Sequence, residues 1–267
     1  KMATLLLKKS YLTNSLKEVP FKDLWGSHGV FTTMRVIGKP FKIIFLKNHL
    51  NNLINSTKDY KIFKKNIRSK LNQILKINLK RGKKYNHLLR LAITNNLISI
   101  SIRNRITPSK NFKLKLLKYR RLDPEYKNLK YKFILKNMQN INLKSSDLAL
   151  TFNNQIYETG TANLIFVKNN KLFSPKKNFY KGITLKFFDN KFNINYSNIH
   201  LKNLKDFSEI ILVGSGKGVI SVTNVQGMIW RRKSLKHYKI LKKYYEKAVT
   251  KCPRYYSWSI NLTILQI

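Results

Sequence analysis

Three stretches of this 267-residue chain carry the residue types that bind phosphate polymers. Lys76–Tyr85 (KINLKRGKKY), Lys110–Arg121 (KNFKLKLLKYRR) and Trp230–Tyr256 (WRRKSLKHYKILKKYYEKAVTKCPRYY) interleave cations with aromatics. Cations neutralise phosphates, while aromatic and guanidinium faces stack on unpaired bases. The contacts expected from these stretches are Lys80, Arg81, Lys83, Lys84, Arg120, Arg121, Arg231, Arg232, Lys233, Lys242, Lys243 and Arg254. A solvated helix face usually alternates lysines with acids, yet Glu246 is the only acid in the last stretch. RNA contact through backbone and shape is therefore expected.

Other chemistry is poorly supported. Gly214-Ser-Gly-Lys-Gly218 lacks the spacing and the Lys-Ser/Thr ending of a nucleotide-binding P-loop. The histidines at 28, 49, 87, 200 and 237 have no metal-ligand spacing, so no metal site is expected. Ser215 lies in no nucleophile-elbow motif. The lone Cys252 excludes an internal disulfide and fits a reducing compartment.

The charge balance sharpens the polymer reading. Lys and Arg number 54 against 11 Asp and Glu, a formal charge of +43. Such a protein repels itself unless anions screen it. An AT-rich genome inflates Lys, Asn, Ile, Phe and Tyr but does not by itself deplete the acids. Hydrophobic residues make up 43 %, enough for a folded core, so this is not a disordered basic tail. No apolar run reaches the roughly 20 residues of a membrane span, and no membrane partner is expected. Lys1-Met2 at the start leaves room for a targeting segment upstream.

These residues must be positioned by alternating elements. Val30–Ile37 and Phe41–Phe45 pattern as a hairpin across Gly38-Lys39-Pro40, and His87–Thr94 with Leu97–Ile102 as another across Asn95-Asn96. Between them, residues 49–77 show helical spacing of apolar positions. Leu5–Leu7 is a strand-sized fragment, and Asn128–Asn140 has a helical pattern. Short strands are expected at Leu148–Phe152, Gln155–Tyr157, Asn163–Val167, Leu172–Ser174, Glu209–Val213 and Gly218–Val225, with a basic helix over Leu235–Val249. The class is α+β, with a small N-terminal domain over 1–118, a linker over 119–126, a larger domain over 127–249 and an extension over 250–267.

The order of several short segments resembles the class IV aminotransferases, which include branched-chain and D-amino-acid aminotransferases and aminodeoxychorismate lyase. They are Gly29-Val-Phe-Thr-Thr-Met-Arg35, Phe45-Leu-Lys-Asn-His-Leu50, Tyr126-Lys-Asn-Leu129, Tyr157-Glu-Thr-Gly-Thr-Ala-Asn-Leu-Ile-Phe166, Lys171-Leu-Phe-Ser-Pro175, Lys181-Gly-Ile-Thr184 and Glu209-Ile-Ile-Leu-Val-Gly-Ser215, ending at Val225-Gln-Gly227. The match spans roughly residues 20–245. The resemblance implies a two-domain, D-amino-acid-aminotransferase-like fold holding pyridoxal phosphate, usually in a dimer. It places Lys127 at the Schiff-base position and Glu158 opposite the pyridinium nitrogen. It assigns the phosphate to Gly182, Ile183 and Thr184 and to the hydroxyl of Ser215.

Departures from the family pattern surround that phosphate. An arginine three residues after the helix histidine clamps it in the family; here His49 is followed by Asn52. The arginine usual after Gly-Ile-Thr is Leu185, and the family's Tyr-Gly-Asp is Gly26-Ser27-His28. Lys217 is expected to compensate in part. Charge and eroded clamp together lead to the expectation of a pseudoenzyme without a cofactor. It would serve as a structural rRNA-binding component of a mitochondrial ribosome beside other ribosomal proteins, with plastid or symbiont cytoplasm as other locations and a homodimer not favoured. The alternative is an active pyridoxal-phosphate enzyme, a lyase or aminotransferase of an AT-rich symbiont or organelle, working through Lys127.

Overall fold

A computed structural model describes residues 5–62 and 65–255, and the chain divides into two compact units. The first takes the chain up to Arg105 and again from Ala248; the second takes Ile106–Lys247. The architecture is α+β, as expected, with one antiparallel and one mixed sheet.

In the first unit, β1 (Leu5–Leu12), β2 (Glu18–Val19), β3 (Val30–Gly38) and β4 (Phe41–Ile43) precede α1 (Leu46–Asp59) and α2 (Ile67–Asn78). The strands β5 (Tyr85–Ile93) and β6 (Leu97–Asn104) complete a six-stranded sheet of order β2-β1-β6-β5-β3-β4. Gly38 turns the β3–β4 hairpin at φ +96°, where an L side chain is strained. Leu50 and Leu53 on α1 are almost fully buried, and this helix packs on β3. The single helix expected over 49–77 is two helices. Lys61 and Asn66 take left-handed φ values of 54° and 58°, which end one helix and begin the next, while Ile62 is buried between them.

The second unit opens with β7 (Phe112–Lys118), followed by α3 (Lys132–Met138), β8 (Ser146–Phe152), β9 (Gln155–Thr159), β10 (Asn163–Lys168) and β11 (Lys171–Pro175). Then come α4 (Ile183–Asp189), β12 (Ile194–Ser197), a 3-10 turn over Leu201–Asp206, β13 (Glu209–Gly214), β14 (Gly218–Gln226) and α5 (Lys236–Lys251). The eight-stranded order is β12-β11-β10-β13-β14-β7-β8-β9. Alternate residues Phe112 and Leu114 of β7 enter a core with Phe166, Leu212 and Val222. Because β7 runs parallel to both β14 and β8, the boundary expected at 118 falls near 106 instead. Residues 119–126 are part of this unit and not a linker: the Tyr119 amide donates to the Thr151 carbonyl at 2.8 Å. Likewise the 127–249 domain ends earlier, since residues from Ala248 belong with the first unit.

The turns follow local chemistry. Asn153-Asn154 and Asn169-Asn170 all have positive φ, the conformation that matches strand twist in two-residue hairpins. Glu209, fully buried at the start of β13, caps α5: its carboxylate accepts the His237 and Tyr238 amides, both at 2.9 Å, and the Ser234 hydroxyl at 3.0 Å. A carboxylate there satisfies amides that the helix leaves open and complements its dipole.

Candidate active site

The second unit encloses an ion pair. Glu158 on β9 is 5 % exposed, and Arg121, in the segment after β7, is 2 % exposed. Arg121 Nε donates to Glu158 Oε1 at 2.6 Å, while its terminal nitrogens donate to the carbonyls of Tyr126 at 3.0 Å and Pro124 at 2.5 Å. Burial pushes the Glu158 carboxyl above the usual range; the charge and hydrogen bond of Arg121 oppose this without cancelling it. Burial also works against the Arg121 charge, but Glu158, Tyr131 and Tyr119 together outweigh it and the guanidinium holds its proton more firmly than usual. A guanidinium does not deprotonate in a protein, so the pair is ionic once Glu158 has titrated.

Lys127 belongs to the same electrostatic cluster. Its amine is brought down to about 8, first by desolvation and then by the Arg121 charge, with Glu158 pulling the other way. As a whole residue Lys127 keeps intermediate exposure, so solvent still reaches part of it. Its Nζ lies 5.1 Å from the Tyr180 ring centroid. Beside it, the phenol of Tyr131 is pushed up to about 12, chiefly by burial, and the Arg121 guanidinium lies 5.3 Å from its ring. The backbone around Lys127 is held by its neighbour. Asn128 is fully buried, donates to the carbonyls of Leu122 at 2.8 Å and Asp123 at 3.0 Å, and accepts the Lys130 amide at 3.1 Å.

A third part of the site is the segment 180–184. Asn163 on β10 donates to the Tyr180 carbonyl at 2.7 Å and accepts the Gly182 amide at 2.9 Å. A Cβ on Gly182 would stand 2.7 Å from Asn163 Oδ1, so only glycine allows this approach. Thr184 is 1 % exposed, and its Oγ1 is buried with no hydrogen-bond partner. An orphaned buried hydroxyl costs free energy, and an anion such as a phosphate would relieve it. Ile183 is also buried, and Leu185 points into the core.

The remaining expected site residues fall into distinct environments. Ser215 lies in the loop joining β13 and β14 with intermediate exposure. Lys217 lies 3.7 Å from the buried Asp147 carboxylate and 4.6 Å from the Phe112 ring centroid. Its charge faces Asp147. Asn52 is on α1 in the first unit. The expectation of Arg121 as an RNA contact is also corrected: its side chain is 1 % exposed and committed to Glu158. Lys80, Arg81, Lys83, Lys84, Arg120, Arg231, Lys233, Lys242, Lys243 and Arg254 are exposed, and Arg232 is half-buried with a bond to Ser221.

Sequence reasoning missed Arg121 as the partner of Glu158, the tyrosines 131 and 180, and the positioning roles of Asn128 and Asn163. The asparagine directly after the candidate lysine was the available signal. Among the described residues, no three His, Cys, Asp or Glu side chains gather to hold a metal, and no helix is long and apolar enough to cross a membrane.

The family model described as amino-transferase class IV matches residues 29–225. No curated protein sequence gives a significant match. Among solved structures, a hypothetical aminotransferase from Mycobacterium tuberculosis in its PLP-bound form is similar at TM-score 0.70 and 13 % identity, covering 91 % of this chain and 99 % of its own. A putative branched-chain amino acid aminotransferase from Thermotoga maritima matches at TM-score 0.72 and 16 % identity, covering 91 % and 96 %. A putative 4-amino-4-deoxychorismate lyase from Legionella pneumophila matches at 0.66 and 18 %, covering 87 % and 97 %. At these identities the likeness is one of fold.

Proposed function

The chain belongs to the amino-transferase class IV family, and on that premise we propose that it is a pyridoxal-phosphate-dependent enzyme acting on an amino substrate, by amino transfer or by elimination of the aminodeoxychorismate-lyase type. One observation carries the reading. Among the described lysines, Lys127 is the one whose amine is brought down to about 8 beside a buried carboxylate. A lysine that is neutral for part of the time near neutrality can act as nucleophile and proton carrier, which an ordinary lysine does poorly.

The residues present fit the cofactor. Lys127 would hold it through the amine, Glu158 would pair with its ring nitrogen, and the Thr184 hydroxyl with the amides of Ile183 and Thr184 would take its phosphate, the Gly182 amide being given to Asn163. When bound, pyridoxal phosphate supplies an electron sink for charge developing beside a substrate amine. Arg121 keeps Glu158 in one orientation through a 2.6 Å bond and favours its ionised form. Lys127 Nζ carries the proton that must leave and return during either reaction. Tyr131 stays protonated across the working range, since its phenol titrates only near 12, and so remains a hydrogen-bond donor. The orphaned hydroxyl of Thr184 and the low pKa of Lys127 weigh for a working pocket over the eroded one expected from Asn52 and Leu185.

The test is reconstitution. Purified protein incubated with pyridoxal phosphate should turn yellow, lose that absorbance band on borohydride treatment, and show neither property as Lys127→Ala. Turnover would then be assayed with amino acids and with aminodeoxychorismate. A wild-type preparation that stays colourless with excess cofactor would refute the proposal.

The charge of +43 favours a second reading, a structural component of an organellar ribosome built on the same fold. Co-sedimentation of the native protein with ribosomal subunits would support it. Migration as a small RNA-free species would end it.

A further inference from the structure

The sheet of the first unit gathers cations at one corner. Gly38 is in register with both Phe41 on β4 and Tyr85 on β5, so the Lys39 turn lies beside the chain entering β5. That chain is Lys83-Lys84, exposed at the end of an exposed turn that begins at Lys80. A third segment arrives from the far end of the sequence. The Tyr255 amide donates to the Phe41 carbonyl at 3.0 Å, and Lys42 Nζ donates to the Thr250 carbonyl at 2.7 Å. Phe41 stands between two rings, Tyr85 at 4.9 Å and Tyr255 at 5.3 Å between centroids. This stack ties the three segments together, and the exposed Lys39, Lys83, Lys84, Lys251 and Arg254 flank it.

Among the described residues of this unit, no acid forms an ion pair with Lys39, Lys83, Lys84 or Lys251. The acids of the described part of this unit are Glu18, Asp23 and Asp59. Glu18 is on β2 at the opposite sheet edge and pairs with Lys9. Asp23 pairs with Arg90. Asp59 closes α1 next to Tyr60, whose carbonyl lies 3.0 Å from His28 Nε2, just before β3 begins; the cation corner is where β3 ends. The sequence over 256–267 contains no Asp or Glu. Cations closer than the Debye length, about 8 Å at physiological salt, repel one another unless an anion bridges them.

We propose that this corner, formed by the β3–β4 turn, residues 80–84 and residues 251–254, binds the phosphate backbone of RNA. The charge is on the surface, while Phe41 and Tyr85 are turned inward at 0 % and 3 % exposure. A membrane-binding surface would present apolar side chains for insertion; here Phe41 and Tyr85 are in the core and Tyr255 is half-buried. Backbone binding needs charge and donors alone. The proposal is separate from the Lys127 pocket, and the cofactor absorbance band reports on that pocket independently.

The experiment titrates full-length protein with a fluorescent single-stranded RNA of mixed sequence at several salt concentrations. Replacing Lys83, Lys84, Lys251 and Arg254 with Gln should flatten the dependence of log K on log salt by about 2–3, at roughly 0.7 per lost phosphate contact on a single strand. A charge-matched control, Lys132, Lys136, Lys176 and Lys177→Gln in the second unit, should leave the slope near that of wild type. Equal losses in both variants would show that net charge alone drives binding and overturn the site. Absent RNA binding, or binding to anionic phosphatidylserine vesicles in preference to RNA, would overturn it as well. An unchanged circular dichroism melt confirms that the variants are folded.

Discussion

Removing the charge of Glu158 should be among the more damaging single changes in the second unit. In Glu158→Gln the amide oxygen can still accept from Arg121 Nε, so the 2.6 Å hydrogen bond can survive. The charge that balances the guanidinium does not. Arg121 is left 1 % exposed, bonded to the new amide and to the carbonyls of Pro124 and Tyr126. Breaking one side of a buried pair costs about 3–5 kcal/mol, and the retained hydrogen bond puts this case near 3 kcal/mol. For a chain of this size that corresponds to a melting point lower by roughly 6–12 °C. The cause is separable. Adding Arg121→Met to Glu158→Gln removes the orphaned guanidinium and puts an apolar side chain of similar length in its place, and more than half of the loss should return. Urea unfolding at pH 8, followed by circular dichroism for wild type, both single variants and the double, measures the cycle. If the double variant is no more stable than Glu158→Gln, the orphaned charge is not the source of the cost and the reasoning fails.

Lys127 should titrate near pH 8 in competitive reductive methylation of the apoprotein read by mass spectrometry, so that at pH 7 about 10 % of it is neutral against roughly 0.03 % for an ordinary lysine. Because its folded pKa lies below its unfolded one, the unfolded chain binds more protons between pH 8 and 10.5, and this group's contribution to stability rises with pH across that window. A labelling midpoint above pH 10 would contradict the buried environment. Thr184→Val removes a hydroxyl that has no partner, so apoprotein stability should hold or rise by about 1 kcal/mol, while affinity for pyridoxal phosphate falls about tenfold by equilibrium dialysis. Gly182→Ala sets a methyl 2.7 Å from Asn163 Oδ1 and should cost about 1–3 kcal/mol in chemical denaturation; a neutral result would mean that the 180–184 segment is not held by Asn163.

What the sequence showed and concealed follows the range of the interactions. The hairpins were legible because alternation and Asn-Asn turns are local; Asn153-Asn154 and Asn169-Asn170 adopt positive φ, while Asn95-Asn96 turns without it. Phe112–Lys118 alternates apolar and basic residues, yet its strand identity was obscured by its charge, since its partners begin about 30 and 110 residues further along the chain. Arg121 was read with Arg120 as surface for the same reason: the carboxylate that buries it is 37 residues away. The helical spacing over 49–77 ran through a break because Tyr60 and Ile62 supply apolar residues without helical backbone. Lys127, Glu158 and Thr184 were placed through a family resemblance; composition could not single out one lysine among 43. The depressed amine and the orphaned hydroxyl required coordinates.

Asn128 has a consequence for stereochemistry. With its side chain anchoring the carbonyls of 122 and 123 and the amide of 130, the stem of Lys127 cannot shift with its tip. Only the four methylenes swing, and they do so from a fixed origin. A flat ligand lodged beside Tyr180 would therefore meet the ammonium from one side alone, and a proton delivered there would arrive on one face. Handedness in the product would then be set by a buried asparagine whose hydrogen bonds run to the backbone at 122, 123 and 130.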